Sequence, residues 1–393
     1  MTDQTDGAQN SLKDAVVTGE SYIDETSPYD VVIYHVGGGG NYGPVHEVIK
    51  LFGSNCLVVL FDIRSDLPEF AVTESEAGTG FRRMSINIGL SGESGESSFN
   101  VNKYRLSSSL LPPAAGVMDD HVLFWTHEPP YEQITTWREN TVVESEITTL
   151  TTTIDEIVRQ NVAPPPDIIS LDAQGVEASI LRGGEQSLTD TVLCAVTEVG
   201  FFEYYEGQGM FSEQLDLFNQ KGFRLADFLT RFYFHPSQAT GKGFLTTAEA
   251  LWLRLAETEF PDADETVVTT RMAKLAGISH AFGRFSFANK VLTVLRDRYP
   301  DVYADLRTRN PYSEVFTRFE WVSIHGEDYV ADNYYFLRKE YKNAQSSLLR
   351  KVARGIWHLL PRSIRYKLRN SGSSEVPPPP SPLIYHEDPL QRV

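Results

Sequence analysis

The sequence has few cysteines: Cys56 and Cys194 are the only two among 393 residues, and each lies in an apolar stretch. Two such thiols indicate buried cysteines in a reducing compartment, because small secreted domains held by disulfides carry many more. The histidines and cysteines also lack the spacing of a zinc site. No disulfide and no metal centre is therefore predicted.

Targeting and membrane-spanning patterns are missing as well. The first residues lack the basic start and apolar core of a signal peptide. No apolar run reaches the roughly 20 residues that a membrane-spanning helix needs. The formal net charge of −18 argues against general binding to nucleic acid. We therefore expect a cytoplasmic protein that has no nucleic-acid partner.

Positive charge is scarce in most of the chain but concentrated near its end. Residues 338–369 contain ten Lys or Arg and one acid, Glu340. Apolar residues between Leu348 and Leu360 recur at helical spacing, and the basic residues lie off this stripe. The pattern is typical of a peripheral helix on an anionic membrane surface, here the inner face of the membrane. It is equally typical of a helix docked on the protein's own acidic body, and both interpretations stay open.

The chain divides into four parts by composition and periodicity. Residues 1–28 are polar and acidic and are predicted to be disordered, whereas residues 29–256 alternate strands and helices. Residues 257–370 are predicted to be helical, and residues 371–393 form a proline-rich tail. The alternation over 29–256 predicts a mostly parallel α/β sheet.

The individual elements follow from apolar periodicity and from the Gly, Pro and capping residues that end each run. Strands are predicted over 30–37, 57–62, 84–90, 147–150, 167–172, 192–198, 224–229 and 250–255, with a hairpin over 93–102. Helices are predicted over 45–52, 153–158, 176–181, 211–221, 268–276, 284–298, 301–309 and 334–360. Residues 104–140 show no clear period and are predicted to form a loop or cap over the sheet.

A glycine-rich segment, Gly37 to Gly43, follows the first predicted strand. Its glycines would let backbone N–H groups approach a ligand, and the following helix N-terminus favours negative charge. Asp62, at the end of the next strand, is placed to accept hydrogen bonds from ribose hydroxyls. Together these features predict a nucleoside cofactor, either a dinucleotide or S-adenosylmethionine. The dinucleotide fingerprint fits Gly37 and Gly39 but fails at Tyr42, where it needs a third glycine.

Acidic residues mark two further strand ends. The apolar run 168–171 ends in Asp172, and a turn at Gly175 leads into a helix that begins near Glu177. Glu198 ends the next predicted strand. Ligands of open α/β sheets bind beyond the carboxyl ends of the strands, so these three acids are predicted to orient or deprotonate a substrate. The structural alternative is a helix N-cap at Asp172, with Glu177 beside the helix dipole.

Aromatic residues accompany these acids. Four of them follow the strand end at Glu198 and two lie within 104–140: Phe201, Phe202, Tyr204, Tyr205, Trp125 and Trp137. They are predicted either to pack in the core or to form the floor of a sugar or polyketide site.

Three segments resemble the FkbM-type methyltransferases, a family of S-adenosylmethionine-dependent class I enzymes that usually act on oxygen. Gly39-Gly-Asn-Tyr-Gly43 is similar to the family's G-A-N-x-G cofactor loop. The segment 171–184 closely resembles the D-x-Q-G-x-E-x-x-x-L-x-G signature, and it is the most specific of the three. The segment 198–223 resembles the part of the family that follows. The resemblance covers roughly residues 30–256.

This resemblance implies a fold, a cofactor and a reaction. The fold is a doubly wound, mostly parallel, seven-stranded sheet of the class I methyltransferase type, Rossmann-like, with a helical C-terminal appendage. The reaction is transfer of a methyl group to a hydroxyl of a glycan or secondary metabolite, with Asp172, Glu177 and Glu198 as catalytic residues. S-adenosylmethionine would be held by Gly37, Gly39, Gly40, Asn41, Gly43 and Asp62.

One position departs from the family pattern. The family usually has an acid two residues before the loop glycine, which engages the methionine part of the cofactor, and Gly37 occupies that place. Either His35 or Glu47 substitutes for the acid, or cofactor binding is weakened. Two alternatives to the methyltransferase therefore stay open: a catalytically inactive, methyltransferase-like scaffold protein, and a nicotinamide-dependent oxidoreductase on a Rossmann fold.

Overall fold

A computed structural model describes residues 12, 15–19, 21–37, 42–63, 80–116, 119, 121–124, 134–233, 243–255 and 264–324. The described residues up to Tyr303 belong to one compact unit, and those from Ala304 onward belong to a second. This division differs from the predicted boundary after residue 256, because two long helices that follow that boundary belong to the first unit.

Thirteen strands and eleven α-helices make up the described chain. The strands are β1 (Val16–Thr18), β2 (Val31–Gly37), β3 (Cys56–Phe61), β4 (Arg82–Ile86), β5 (Gly89–Leu90), β6 (Gly95–Asn102), β7 (Val122–Phe124), β8 (Ile134–Thr136), β9 (Val143–Thr152), β10 (Ile168–Asp172), β11 (Cys194–Gly200), β12 (Phe223–Tyr233) and β13 (Leu245–Arg254). The helices are α1 (Tyr22–Glu25), α2 (His46–Phe52), α3 (Trp137–Asn140), α4 (Ile154–Arg159), α5 (Glu177–Arg182), α6 (Glu185–Asp190), α7 (Phe211–Gln220), α8 (Glu265–Ala281), α9 (Phe285–Arg298), α10 (Pro300–Leu306) and α11 (Tyr312–Ile324).

The main sheet has the strand order β1-β4-β3-β2-β10-β11-β13-β12. The five neighbours from β4 to β11 run parallel, whereas β13 is antiparallel to both β11 and β12, and β1 is antiparallel to β4. Seven of these strands are those predicted for a mostly parallel α/β sheet, and that part of the prediction is confirmed. The chain runs outward from β2 through β3 to β4 and later outward from β10 to β11 on the other side. The strand order therefore reverses between β2 and β10, which is where open α/β sheets bind ligands.

Both faces of the sheet are buried, which explains why β2 and β3 read as continuous apolar runs. Val32 and Tyr34 of β2 belong to a core that includes residues of α4, α5, α6 and α7. Val31 and Ile33 point to the opposite face and are 0 % exposed. The buried residues of α2 are Val48, Ile49 and Phe52, and α8 contacts this helix.

A second, smaller sheet corrects the predicted hairpin over 93–102. Residues Gly95–Asn102 form one strand, β6, which pairs antiparallel with β9, and β5 pairs parallel with the end of β9. The prediction is wrong because the Ser-Gly turn residues precede the strand instead of dividing it. The short strand predicted over 147–150 is part of the longer β9. The segment predicted to be a loop or cap contains β7, β8 and α3.

Both ends of the described part of the chain also differ from expectation. The predicted disorder of residues 1–28 is wrong for β1, which pairs with β4, and for α1. Helix α11 was not predicted. The predicted helix over 334–360, the basic segment 338–369 and the proline-rich tail lie outside the described residues. Within the described part of the chain, no helix is both long and apolar enough to cross a membrane.

Candidate active site

The strand ends at the reversal point approach each other closely. Gly37 at the end of β2 pairs with Asp172 at the end of β10. Gly37 has a φ of 76°, and a Cβ placed on it would lie 2.0 Å from the carbonyl oxygen of Asp172. Both constraints require glycine at this position. The acid that the family pattern expects here is thus sterically excluded by the neighbouring strand.

Of the other predicted cofactor residues, the structure describes Asp62 and Gly43. Asp62 directly follows β3, whose last residue, Phe61, pairs with Val36 of β2. Asp62 therefore lies at the same edge of the sheet as Gly37. Gly43 begins a short 3-10 turn that leads into α2. Gly39, Gly40 and Asn41 lie outside the described residues, so their part in cofactor binding stays a prediction.

Glu177 holds the turn that follows β10. Its Oε1 accepts hydrogen bonds from the backbone N–H groups of Ala173, at 2.8 Å, and Gly175, at 3.2 Å. Burial raises the pKa of the Glu177 carboxyl to about 7, the nearby charge of Asp172 raises it too, and the backbone N–H groups oppose the shift. This structural role of Glu177 was not predicted. A catalytic role for Glu177 stays a prediction.

Gln174 connects Asp172 to the aromatic residue Tyr205. The Gln174 side-chain amide donates to Asp172 Oδ1 at 2.7 Å, and the Tyr205 hydroxyl lies 2.8 Å from Gln174 Oε1. Gln174 has a φ of 54°, and the Ser109 hydroxyl donates to its carbonyl oxygen at 2.7 Å. A Cβ on Gly175 would lie 2.8 Å from the Tyr205 ring, so this glycine admits the ring. The signature segment thus positions the Asp172 carboxylate through its neighbours.

Three carboxylates form a row across the adjacent strands β10, β11 and β13. Leu171 pairs with Thr197, and the same register places Asp172 beside Glu198. Glu198 pairs directly with Glu249 of β13. The row ends on β12, where the Thr230 hydroxyl donates to Glu249 Oε2 at 2.7 Å. Paired residues of neighbouring strands point to the same face of a sheet, so the three side chains share one face.

Three ionised carboxylates in this row would repel one another and would be poorly solvated. Burial raises the pKa of Asp172, Glu198 and Glu249, and for Glu198 the charges of Asp172 and Glu177 raise it further. Burial likewise raises the pKa of the Tyr205 hydroxyl, and Glu198 adds to the effect. Among the described residues, no Lys or Arg forms an ion pair with the row. Burial and like charges favour the protonated form of a carboxyl group and make its carboxylate a stronger base, which suits general-base catalysis.

A buried network fixes the strand that carries Glu198. The Thr197 hydroxyl donates to Gln214 Oε1 at 2.7 Å and accepts from the Trp252 indole N–H at 3.0 Å. The Gln214 amide donates to the backbone carbonyl oxygen of Glu198 at 2.9 Å. Each of these polar groups is satisfied, so the network holds the Glu198 backbone rigidly.

The predicted aromatic group divides between the site and the core. Trp137, Tyr204 and Tyr205 form one cluster, with ring centroids of Trp137 4.8 Å from Tyr204 and 5.5 Å from Tyr205. Phe202 packs against this cluster, whereas Phe201 packs against rings of the main core. Trp125 lies outside the described residues. The cluster adjoins the carboxylate row because Tyr205 contacts Gln174.

Sequence reasoning missed Gln174 as a bridge, Tyr205 as its partner and Glu249 as the third acid. The available signal for Glu249 was an acidic residue between Ala248 and Ala250, directly before an apolar run. In the part of the chain that the structure describes, no group of three or more His, Cys, Asp or Glu side chains has the arrangement of a metal site.

Comparison with known proteins finds a family match for part of this site, and Gly37, Gly43 and Glu249 lie outside the matched residues. Residues 58–225 match the family model of the methyltransferase FkbM domain. The match includes Asp62, Asp172, Glu177 and Glu198 and confirms the family resemblance over these residues. Searches of curated proteins and of solved structures gave no significant match.

Proposed function

We propose that this protein transfers a methyl group from S-adenosylmethionine to a hydroxyl group of a small molecule or glycan, because residues 58–225 match the model of the FkbM methyltransferase domain. The observation that carries this proposal is the position of Asp172. It lies at the reversal of strand order, beside Gly37, and begins a row of three carboxylates. The family match favours this reaction over a nicotinamide-dependent one, and the doubly wound class I fold is part of the same proposal.

The cofactor is assigned to the crevice between β2 and β10. The residues fit this cofactor because the ends of β2 and β10 meet there and Gly37 has no side chain to fill the crevice. Asp62 lies on one side of the crevice and Asp172 on the other. Asp62 would accept hydrogen bonds from ribose hydroxyls, and Gly37, Gly43 and the segment 39–41 would present backbone to the ligand. When bound, S-adenosylmethionine supplies an electrophilic methyl group.

The acceptor is assigned to the carboxylate row. A hydroxyl oxygen that takes up a methyl group must lose its proton, so the site needs a base close to that oxygen. Glu198 suits this role because burial and the charges of Asp172 and Glu177 raise its pKa, which makes its carboxylate a stronger base. Asp172 would orient the acceptor, and Glu177 would keep the turn after β10 in place. The aromatic cluster of Trp137, Tyr204 and Tyr205 offers apolar ring surface to the acceptor beside the row.

Two buried, unpaired thiols support a reducing compartment such as the cytoplasm as the place of action. Contact of residues 338–369 with the inner face of the membrane stays a prediction.

Calorimetric titration with S-adenosylhomocysteine tests the cofactor assignment. We expect saturable binding at one site per chain, and a loss of affinity of at least about tenfold in D62A, as one charge-assisted hydrogen bond to ribose is removed. D216A is the matched control, since Asp216 is exposed on α7 and should leave affinity unchanged. Absence of S-adenosylhomocysteine binding, or saturable binding of NADH in its place, would contradict the proposal.

A further inference from the structure

His35 is a buried side chain with an unused hydrogen-bonding atom. It lies on β2, two residues before Gly37, and is 1 % exposed. Its Nδ1 lies 3.0 Å from the Ser170 hydroxyl on the neighbouring strand β10. Its Nε2 has no hydrogen-bond partner among the described residues. A buried polar atom left without a hydrogen-bond partner destabilises the fold and calls for an explanation.

The position of the imidazole connects it to the proposed cofactor crevice. Residues 35 and 37 are two apart on one strand, so they face the same side of the sheet, with their Cα atoms about 7 Å apart. Ser170, two residues before Asp172, faces the same side on β10. The ring of Tyr42, just before the 3-10 turn at Gly43, lies edge-on to the imidazole at 5.2 Å. His35 therefore lies directly below the two strand ends that meet at the crevice.

The charge state of His35 restricts what it can bind. Burial lowers the pKa of its imidazole to about 4, so the ring is neutral at physiological pH. In a neutral ring one nitrogen donates and the other accepts, and the Ser170 hydroxyl can serve either role toward Nδ1. The carboxylate of Asp172 at the adjacent strand end favours a cationic group over an anionic one.

We propose that Nε2 of His35 accepts a hydrogen bond from the α-ammonium group at the amino-acid end of the cofactor. This inference rests on the proposed function, because it assumes S-adenosylmethionine in the crevice between β2 and β10. With Nδ1–H donating to Ser170, Nε2 presents a lone pair to the ligand. His35 is thereby a cofactor-binding residue, and Ser170 is the residue that positions its ring.

The test compares ligands that differ only at the amino-acid end. S-adenosylhomocysteine carries the ammonium and the carboxylate, its deaminated analogue keeps only the carboxylate, and 5′-methylthioadenosine lacks both. In the wild-type protein we expect calorimetry to show the deaminated analogue binding at least about tenfold more weakly than S-adenosylhomocysteine. H35L should lose about tenfold in affinity for S-adenosylhomocysteine and should bind 5′-methylthioadenosine unchanged.

Two more variants keep the test decisive. S170A should lower S-adenosylhomocysteine affinity by a smaller factor, about two- to fivefold, and H35Q should restore part of the loss because its amide oxygen reaches a similar point. If H35L does not fold, as judged by circular dichroism, the same ligand comparison is made with S170A and H35Q. Equal losses for all three ligands, or no loss for any, would overturn the role of His35. Wild-type protein that binds none of the three would instead contradict the proposed function.

Discussion

Glu198 and Glu249 lie directly opposite each other on the antiparallel strands β11 and β13. Like charges in such a pair destabilise a sheet, and here burial adds to the effect. The pKa of each carboxyl is raised, first by burial and then by neighbouring charge, with Asp172 contributing to both. The pair therefore lowers the stability of the folded chain, and such locally unfavourable arrangements are typical of active sites.

The pair predicts a pH-dependent effect of E249Q on stability. Because the pKa of Glu249 is higher in the folded than in the unfolded chain, its stabilising contribution is complete below the unfolded pKa. That contribution is lost as the pH rises through the folded pKa. Glutamine imitates the protonated form at every pH. The free energy of unfolding of E249Q should therefore exceed that of wild type by more at pH 8 than at pH 5. The difference is about 1.4 kcal/mol for each unit of pKa shift.

Denaturant titrations at both pH values check this prediction, with E96Q as the control. Glu96 lies exposed on β6, away from the main sheet, so its replacement should have the same effect at both pH values. An E249Q protein that is no more stabilised at pH 8 than at pH 5 would show that the pKa of Glu249 is not raised in the folded protein.

The approach of Gly37 to Asp172 predicts the effect of G37A. Gly80 has a similar positive φ, 69° against 76°, but a Cβ on Gly80 would meet no atom within 4 Å. G80A should therefore lose only about 1–2 kcal/mol of unfolding free energy, the conformational cost of alanine in that region. G37A should lose a further ~1–3 kcal/mol, because its Cβ meets the Asp172 carbonyl and must push the strands apart. Chemical denaturation of the two variants gives the comparison, and equal losses would contradict the steric account.

The sequence predicted those elements that are encoded locally. The unit from β2 through α2 to β3 was predictable because a buried β-branched run, a glycine-rich turn and an acid after the next run all lie within 33 residues, 30–62. Asp172 was placed at the end of its strand for the same reason. Glu198 was predicted to end the next strand, but β11 continues to Gly200, so Glu198 lies within it. The N-cap at Thr153 was predicted from its type and spacing, and its side chain accepts from the Glu156 N–H.

The parts that failed depend on contacts between distant segments. The pairing of β6 with β9 joins segments about 50 residues apart, and no local signal distinguishes it from a hairpin. Glu249 became a site residue only through the register of β13 against β11. The exclusion of an acid at position 37 depends on the carbonyl oxygen of Asp172, which is far away in sequence. In each case contacts between distant segments of the folded chain determine the structure, so the periodicity of the sequence could not predict it.

The contact between Gln174 and Tyr205 predicts that their substitutions are not additive. Y205F removes the hydroxyl that lies 2.8 Å from Gln174 Oε1 and 2.9 Å from the Ser107 carbonyl oxygen, so these two acceptors lose their shared donor at a cost of about 1–3 kcal/mol. In Q174A the Oε1 acceptor is absent, so Y205F should then cost less. The coupling energy should be about 0.5–3 kcal/mol in a double-mutant cycle of unfolding free energies. Y205F combined with R159A, at an exposed and distant site, should be additive, and additivity in both cycles would exclude the bridge.

The last prediction concerns a buried ion pair at the opposite end of β10 from the site. Lys274 of α8 donates to both carboxylate oxygens of Asp167 at 2.9 Å, and Asp167 Oδ2 also accepts from the Val32 N–H at 2.9 Å. Both side chains are about nine-tenths buried. Removing one partner leaves the other charge buried without compensation, so K274M should lose about 3–5 kcal/mol of unfolding free energy.

The companion change D167N separates charge from packing. Asparagine can still accept from the Val32 N–H but carries no charge, so K274M/D167N should be more stable than K274M alone. R159A, which removes an exposed i,i+3 pair with Glu156, should change stability by less than about 1 kcal/mol. Because Asp167 lies about 17 Å along the strand from Asp172, the double variant should keep wild-type affinity for S-adenosylhomocysteine. A double variant no more stable than K274M would mean that the unpaired charge of Asp167 is not the cause of the loss in K274M.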